Sequence, residues 1–238
     1  MKYIDAHCHI MSDEYMCAAM ARGVGQFIVN GQSPADWKTV AEIARRDNFY
    51  GAIGVHPWSV SELPDDWDAR LVDMLSANPK LMIGEIGLDK NRPNMTAQEA
   101  VFCRQLQIAH EMERVVQIHM VGAWGRCMEI LRGGNLPPGM VFHAFPGPGE
   151  LVGELSNMKA YFSFGPGICD EKYIKMRAAV GVVPESRILV ESDAPDFLSP
   201  DAVPNTVAEI ARIRGVPVKE MAEIIYNNTL GIIHDGKI

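Results

Sequence analysis

The feature that most constrains the fold is an alternation that runs the whole length of the chain. Short apolar, β-rich runs fall at Tyr3–His7, Gln26–Asn30, Phe49–Val55, Leu81–Ile86, Val115–His119, Met140–His143, Ala160–Phe164 and Arg187–Ser192. Segments with helical periodicity separate them, near Asp13–Arg22, Pro34–Asp47, Asp66–Ala77, Ala97–Glu113, Ala123–Leu131, Gly149–Ser156 and Glu171–Val180. Two more follow, near Ala202–Arg214 and Val218–Tyr226. In the segment from Ala97, Phe102, Leu106, Ala109 and Met112 recur at helical spacing and mark one buried stripe. Thr96, with Glu99 three residues on, reads as a capping box opening that helix. Runs such as Phe27-Ile28-Val29 are apolar on consecutive residues, as parallel strands covered on both faces require. Over 238 residues this alternation predicts a single-domain α/β fold, a (β/α)8 TIM barrel. A doubly wound open sheet is the competing arrangement. No internal repeat or long linker divides the chain. The glycine- and proline-rich pieces read as loops, and of these only Phe145–Gly149 is expected on the face that carries the chemistry.

Charge narrows the partners. A net charge of -8 argues against a broad basic surface that tracks long nucleic acid. It leaves room for a small phosphate site whose positive charge comes from metal ions. Five cysteines, Cys8, Cys17, Cys103, Cys127 and Cys169, show no C-x-x-C spacing and are expected to be reduced, mostly buried thiols. No basic-then-apolar signal region opens the chain and no apolar run approaches a membrane span, so a cytoplasmic protein without a membrane partner is expected.

The polar residues decide between the two α/β arrangements. In a barrel they converge from the C-terminal ends of several strands. Here His7 and His9 close the first run, Glu85 lies in Gly84-Glu85-Ile86-Gly87-Leu88-Asp89, and His119, His143 and Asp193 end later runs. Asp5, His7 and His9 share one strand face, with Cys8 on the other. Imidazoles and carboxylates crowded at one mouth would repel or compete, and two divalent ions resolve that charge problem. A pair of ions lowers the pKa of a water and takes up charge on a leaving oxygen, the chemistry of a hydrolase. Glu191 and Asp5 could each accept a proton from an imidazole and fix its tautomer. Asp89 reads as a brace for its loop, His56 as a substrate contact, His110 as structural and His234 as a solvated tail residue. Trp58 and Trp124 follow strand ends and suit either stacking on a ring or lid packing.

The ordered set His-x-His, Gly-Glu-x-Gly-Leu-Asp, Ile-His, Phe-His-Ala-Phe and Glu-Ser-Asp-Ala-Pro resembles the TatD-like DNase family of metal-dependent hydrolases, a branch of the amidohydrolase-like barrels. The likeness extends to Gly54-Val55-His56-Pro57 and the closing Asn227-Asn228-Thr229. It implies that His7, His9 and Asp193 hold one metal, that His119 and His143 hold a second, and that Glu85 bridges them. It further implies that Asp193 acts as general base. The donor set suits zinc, with magnesium or manganese able to support activity.

The chain departs from the family at the groups suited to phosphate. Val121 stands where an arginine is usual, and the loop Pro195-Asp196-Phe197-Leu198-Ser199-Pro200-Asp201 is acidic where a basic residue, glycine and asparagine are usual. Lys90 replaces an aromatic residue after Gly-Leu-Asp, and Lys90 with Arg92 is expected to restore part of the lost charge. The leading expectation is a monomeric deoxyribonuclease or phosphodiesterase acting on DNA or a smaller phosphodiester. Alternatives are a small-molecule amidohydrolase or lactonase on the same barrel, and a catalytically silent metal-stabilised binding protein.

Overall fold

The structure, a computed structural model, describes residues 1–195 and 199–235. Asp196, in the acidic loop singled out above, lies outside the described residues. The strands are β1 (Tyr3–Cys8), β2 (Val24–Asn30), β3 (Phe49–Ile53), β4 (Met82–Asp89), β5 (Val116–Val121), β6 (Met140–Phe142), β7 (Ala160–Phe164) and β8 (Ile188–Val190). The helices are α1 (Asp13–Ala21), α2 (Trp37–Ile43), α3 (Trp67–Ala77), α4 (Met95–Glu111), α5 (Trp124–Gly133), α6 (Val152–Asn157), α7 (Ile174–Val182), α8 (Ala202–Arg214) and α9 (Val218–Asp235).

The strands form one eight-stranded sheet in sequence order, β1 through β8. The segment leaving β8 bonds back to β1, the Asp193 N–H donating to His7 O at 3.1 Å and the His9 N–H to Ala194 O at 2.8 Å. A sequential order with its first and last members adjacent is barrel topology. A doubly wound sheet would reverse direction at a switch point instead.

Contacts gather into two units, one formed by Met1–Ile28 and His143–Ile233, the other centred on Val29–Phe142. In the first, β1 is buried along its whole length. Phe145 is fully buried against Phe162 (4.6 Å between ring centroids) and Phe164 (6.3 Å), so the start of the Phe145–Gly149 loop is core. Asn228 Nδ2 donates to Glu185 O (2.7 Å) and Ile188 O (2.9 Å), which fixes the entry to β8. That gives the Asn-Asn-Thr motif a structural role.

In the second unit, β4 is buried on both faces over its whole length, as a central parallel strand must be. Its register with β5 slips between Ile83 and Ile86. One extra residue on β4 makes a β-bulge at Gly84-Glu85, a device that re-aims a side chain. Gly84 permits it, since a Cβ there would stand 2.6 Å from Gln117 Cβ.

Helix α4 starts at Met95 with Asn94 as N-cap in the left-handed region, so the capping box expected at Thr96 does not form. Glu99 instead takes a bond from Arg126 Nε at 2.9 Å. The helix spends its polar side chains on the sheet. Gln105 Oε1 accepts from Val55 N (2.7 Å) while Gln105 Nε2 donates to Val55 O (3.1 Å). Gln98 does the same for Asp89, accepting its N–H at 2.8 Å and donating to its carbonyl at 3.2 Å. Both glutamines are fully buried, and their separation places them on one helix face. They satisfy backbone groups just where the strand ladder runs out. Gln105→Leu leaves a buried N–H and C=O unpaired and should cost about 2–3 kcal/mol. Urea unfolding checks this, and a loss under about 1 kcal/mol would show that the clamp is dispensable.

Other boundaries moved modestly. Helix α9 runs on to Asp235, so His234 is an exposed helical residue rather than part of a tail. Cys8 and Cys127 are buried, but Cys17, Cys103 and Cys169 are exposed, against the expectation of mostly buried thiols. All are free thiols. Among the described residues no helix is long and apolar enough to cross a membrane.

Candidate functional site

Strand ends in the first unit bring three imidazoles to one carboxylate. His7 Nε2 and His9 Nε2 lie 3.9 and 3.6 Å from the same Asp193 Oδ1. His143, just past β6, stacks on His7 with centroids 4.2 Å apart and planes within 13°. Donor atoms of His7, His143 and Asp193 all fall within 4.8 Å of one another. One cation can satisfy lone pairs on several of these neighbouring imidazoles.

The backbone here is strained where the ligands sit. Asp193 has φ 53° and Ala144, next to His143, has φ 43°, both in the left-handed region. Glu191 secures the second of these, its Oε1 accepting the Ala144 N–H at 2.6 Å. The same oxygen lies 3.7 Å from His143 Nδ1. Glu191 is fully buried, and its other oxygen, Oε2, has no hydrogen-bond partner among the described residues. A buried carboxylate oxygen without a donor is costly unless positive charge lies close by. That orphaned oxygen beside the imidazoles fits a cation.

Asp5 behaves differently. Its Oδ1 accepts from the Ser192 N–H (2.9 Å) and the His7 N–H (3.4 Å), so it orders the backbone on either side of the ligands rather than an imidazole. Burial pushes its carboxyl up to about 7 against the pull of those bonds.

The second unit carries a further group, at β4, β5 and the turn after β3. His56, Glu85 and His119 place donor atoms within 4.8 Å of one another. Glu85, on the bulge, has its Oε1 3.0 Å from His119 Nδ1 and 3.4 Å from His56 Nε2. His56 caps the turn after β3, and its Nδ1 accepts the Trp58 N–H at 3.2 Å. That bond puts the His56 proton on Nε2, facing Glu85. His56 is therefore a donor to the carboxylate and a poor metal ligand in this tautomer, which leaves Glu85 and His119 as the ligand pair.

His119 Nε2 lies 3.6 Å from Asp89 Oδ2. Asp89 also accepts the Trp58 indole N–H at 2.7 Å and the Asn91 N–H at 2.8 Å. Burial pushes its carboxyl up, but Trp58, Asn91 and His119 outweigh that and hold it below the usual carboxylate range. Lys90 is exposed, its stem over Gly122, and the exposed Arg92 sets its guanidinium 4.0 Å from the Trp58 ring centroid. Trp124 packs on Phe142 at 5.6 Å, a core contact. His110 Nδ1 meets Leu136 O at 2.9 Å, away from these groups in sequence and role. A cleft of about 450 Å³ lined by Cys103, Leu106, Arg126 and Leu136 shares no residue with them and offers no ligand set, so size alone does not make it the site.

The family described as "TatD related DNase" matches residues 4–234. The chain belongs to the TatD-related DNase family. A 3'-5' ssDNA/RNA exonuclease TatD from Cronobacter sakazakii is 33% identical over 197 residues, which span 81% of this chain and 75% of that protein. The uncharacterized metal-dependent hydrolase YabD of Bacillus subtilis is 28% identical, covering 94% of this chain and 96% of its own. Among solved structures, YJJV, a TatD homolog from Escherichia coli K12, superposes with a TM-score of 0.90 at 25% identity over 97% of both chains. The TatD-related fold is thus the (β/α)8 barrel that the alternation predicts. This TatD-related chain is an enzyme, a metal-dependent hydrolase of ester bonds.

Reading the sequence missed the pair Gln98 and Gln105, which hold the ends of β4 and β3 and so set Asp89 and the approach to His56. Two glutamines on the apolar face of a helix were the available signal. It also left Trp58 undecided, although the adjoining His56-Pro57 fixes its backbone.

Proposed function

We propose that this protein is a nuclease that shortens single-stranded DNA or RNA by hydrolysing phosphodiester bonds, with two divalent ions held by His7, His9, Glu85, His119, His143 and Asp193. The ions are zinc in the protein as isolated, and magnesium or manganese also supports turnover. The observation that carries this reading is the convergence of His7, His9 and His143 on Asp193 in a chain of this family. Divalent ions held by these residues would supply Lewis acidity toward the phosphoryl oxygens and lower the pKa of a water, so that hydroxide is available near neutral pH.

The chain's own residues do the rest. Asp193 takes a proton from the attacking water as the water oxygen bonds to phosphorus, and gives that proton to the sugar oxygen as the old P–O bond breaks and the hydroxyl leaves. Glu191 holds Ala144, and through it the backbone beside His143, in place. His56 presents its Nε2–H to Glu85, which keeps that carboxylate oriented. Lys90 and Arg92 meet the phosphates in place of the arginine absent at Val121. The enzyme works as a single-domain cytoplasmic monomer.

Val121 favours a second reading in which the substrate is a smaller phosphodiester, an amide or a lactone. One experiment separates them. Protein purified without chelator should carry close to two ions per chain and, with divalent metal, release mononucleotides from single-stranded DNA. Chelation should abolish the release and metal should restore it. Cleavage of a generic phosphodiester or lactone with DNA left intact would transfer the assignment to the second reading. No metal uptake on titration would remove both.

A further inference from the structure

We propose that Trp58 is a stacking platform for the nucleobase next to the bond being cut, with Arg92 as its clamp. The inference rests on the nuclease reading and adds the element that grips the base.

Trp58 is unusual for a large aromatic residue, because 51% of it is exposed. Leaving half an indole in water forgoes burial that most tryptophans gain. Yet the ring is held in place. Its Nε1–H donates to Asp89 Oδ2 at 2.7 Å, and its backbone N–H donates to His56 Nδ1 at 3.2 Å. Arg92 lies over the ring with its guanidinium carbon 4.0 Å from the centroid. The His56 ring stands perpendicular to it at 4.9 Å. An exposed aromatic fixed at both its polar edge and its backbone is preorganised, so binding a flat partner costs little ordering.

The anchor also sets the position. Asp89 Oδ2, which holds the indole, lies 3.6 Å from His119 Nε2, and the Trp58 and His119 rings have centroids 6.1 Å apart. A base stacked on the exposed part of the indole therefore has its phosphate within reach of the ligand histidine, with the Arg92 charge beside it. Indole and guanidinium planes are what proteins use to hold unpaired bases without reading sequence. The net charge of -8 argues against a broad basic surface that would hold a polyanion, which gives such a grip added weight.

The test compares a single-stranded oligonucleotide with the same strand carrying abasic tetrahydrofuran residues at its last three 3' positions. The wild-type enzyme with metal should prefer the intact strand by about tenfold in kcat/KM, expressed mainly in KM. In Trp58→Ala that preference should fall to near unity, and in Trp58→Phe most of it should survive. Arg92→Ala should lower it part of the way. An equal loss on both strands in Trp58→Ala would mean that the indole only braces Asp89, and would overturn the proposal. So would a wild-type enzyme indifferent to the bases. If neither strand is cut, the nuclease reading falls on its own, and binding of the same two labelled strands by anisotropy still decides the platform. Equal affinity for both would reject it.

Discussion

Asp193→Asn should lower kcat on single-stranded DNA by about three orders of magnitude and leave the fold intact. The magnitude is that of removing a positioned general base, about 10²–10⁴-fold. The fold should survive for reasons visible in the backbone. Asp193 sits at φ 53°, and asparagine, like aspartate, enters that region more readily than most residues. The N–H that bonds to His7 O at 3.1 Å belongs to the main chain and is retained. What changes is the oxygen shared by His7 and His9, since an amide neither carries the charge nor takes a proton. Assays at saturating metal, beside circular dichroism, separate lost chemistry from weakened metal uptake. Retention of more than about a tenth of the wild-type rate under those conditions would refute the role given to Asp193.

The second large effect lies in stability. Gly87→Ala should cost more than about 4 kcal/mol, or prevent folding altogether. Gly87 has φ +145°, a region that side chains rarely enter, and a Cβ there would lie 1.9 Å from the His119 carbonyl oxygen. Relief would require β4 and β5 to part at Gly87 and His119, which are register partners in the ladder. Gly125→Ala is the matched control, because no atom lies within 4 Å of the added carbon. There the change should be neutral or stabilising by up to about 1 kcal/mol. Denaturant unfolding of both variants reads the difference, and a Gly87→Ala protein within 1 kcal/mol of wild type would contradict the assignment of this contact.

Much of the fold was legible because strand burial and helix periodicity are local signals. All eight strands appear where apolar runs predict them, including β7 at Ala160–Phe164. The edges were less legible where tertiary contacts decide. Thr96 and Glu99 form a good capping box in isolation, but Arg126 takes Glu99 and the helix starts two residues earlier. Likewise α9 runs past Tyr226 to Asp235, with Ile232 and Ile233 buried. At the site, residue type and strand-end position singled out His7, His143 and Asp193, which the fold brings together. Orientation was not legible. Nothing in the spacing told that Asp5 serves backbone amides, or that His56 accepts a backbone N–H on Nδ1 and turns Nε2 toward Glu85. Those outcomes depend on bond directions that only three-dimensional packing sets.

The two buried glutamines of α4 have a consequence for redesign. Because Gln105 holds Val55 and Gln98 holds Asp89, the loops that carry His56, Trp58 and Arg92 are moored to a helix that carries none of those three residues. Grafting those loops onto another barrel to transplant specificity would fail unless α4 travels with them. Conversely, a library that varies Trp58 and Arg92 while keeping both glutamines retains its scaffold, which makes this corner of the enzyme a modular cassette.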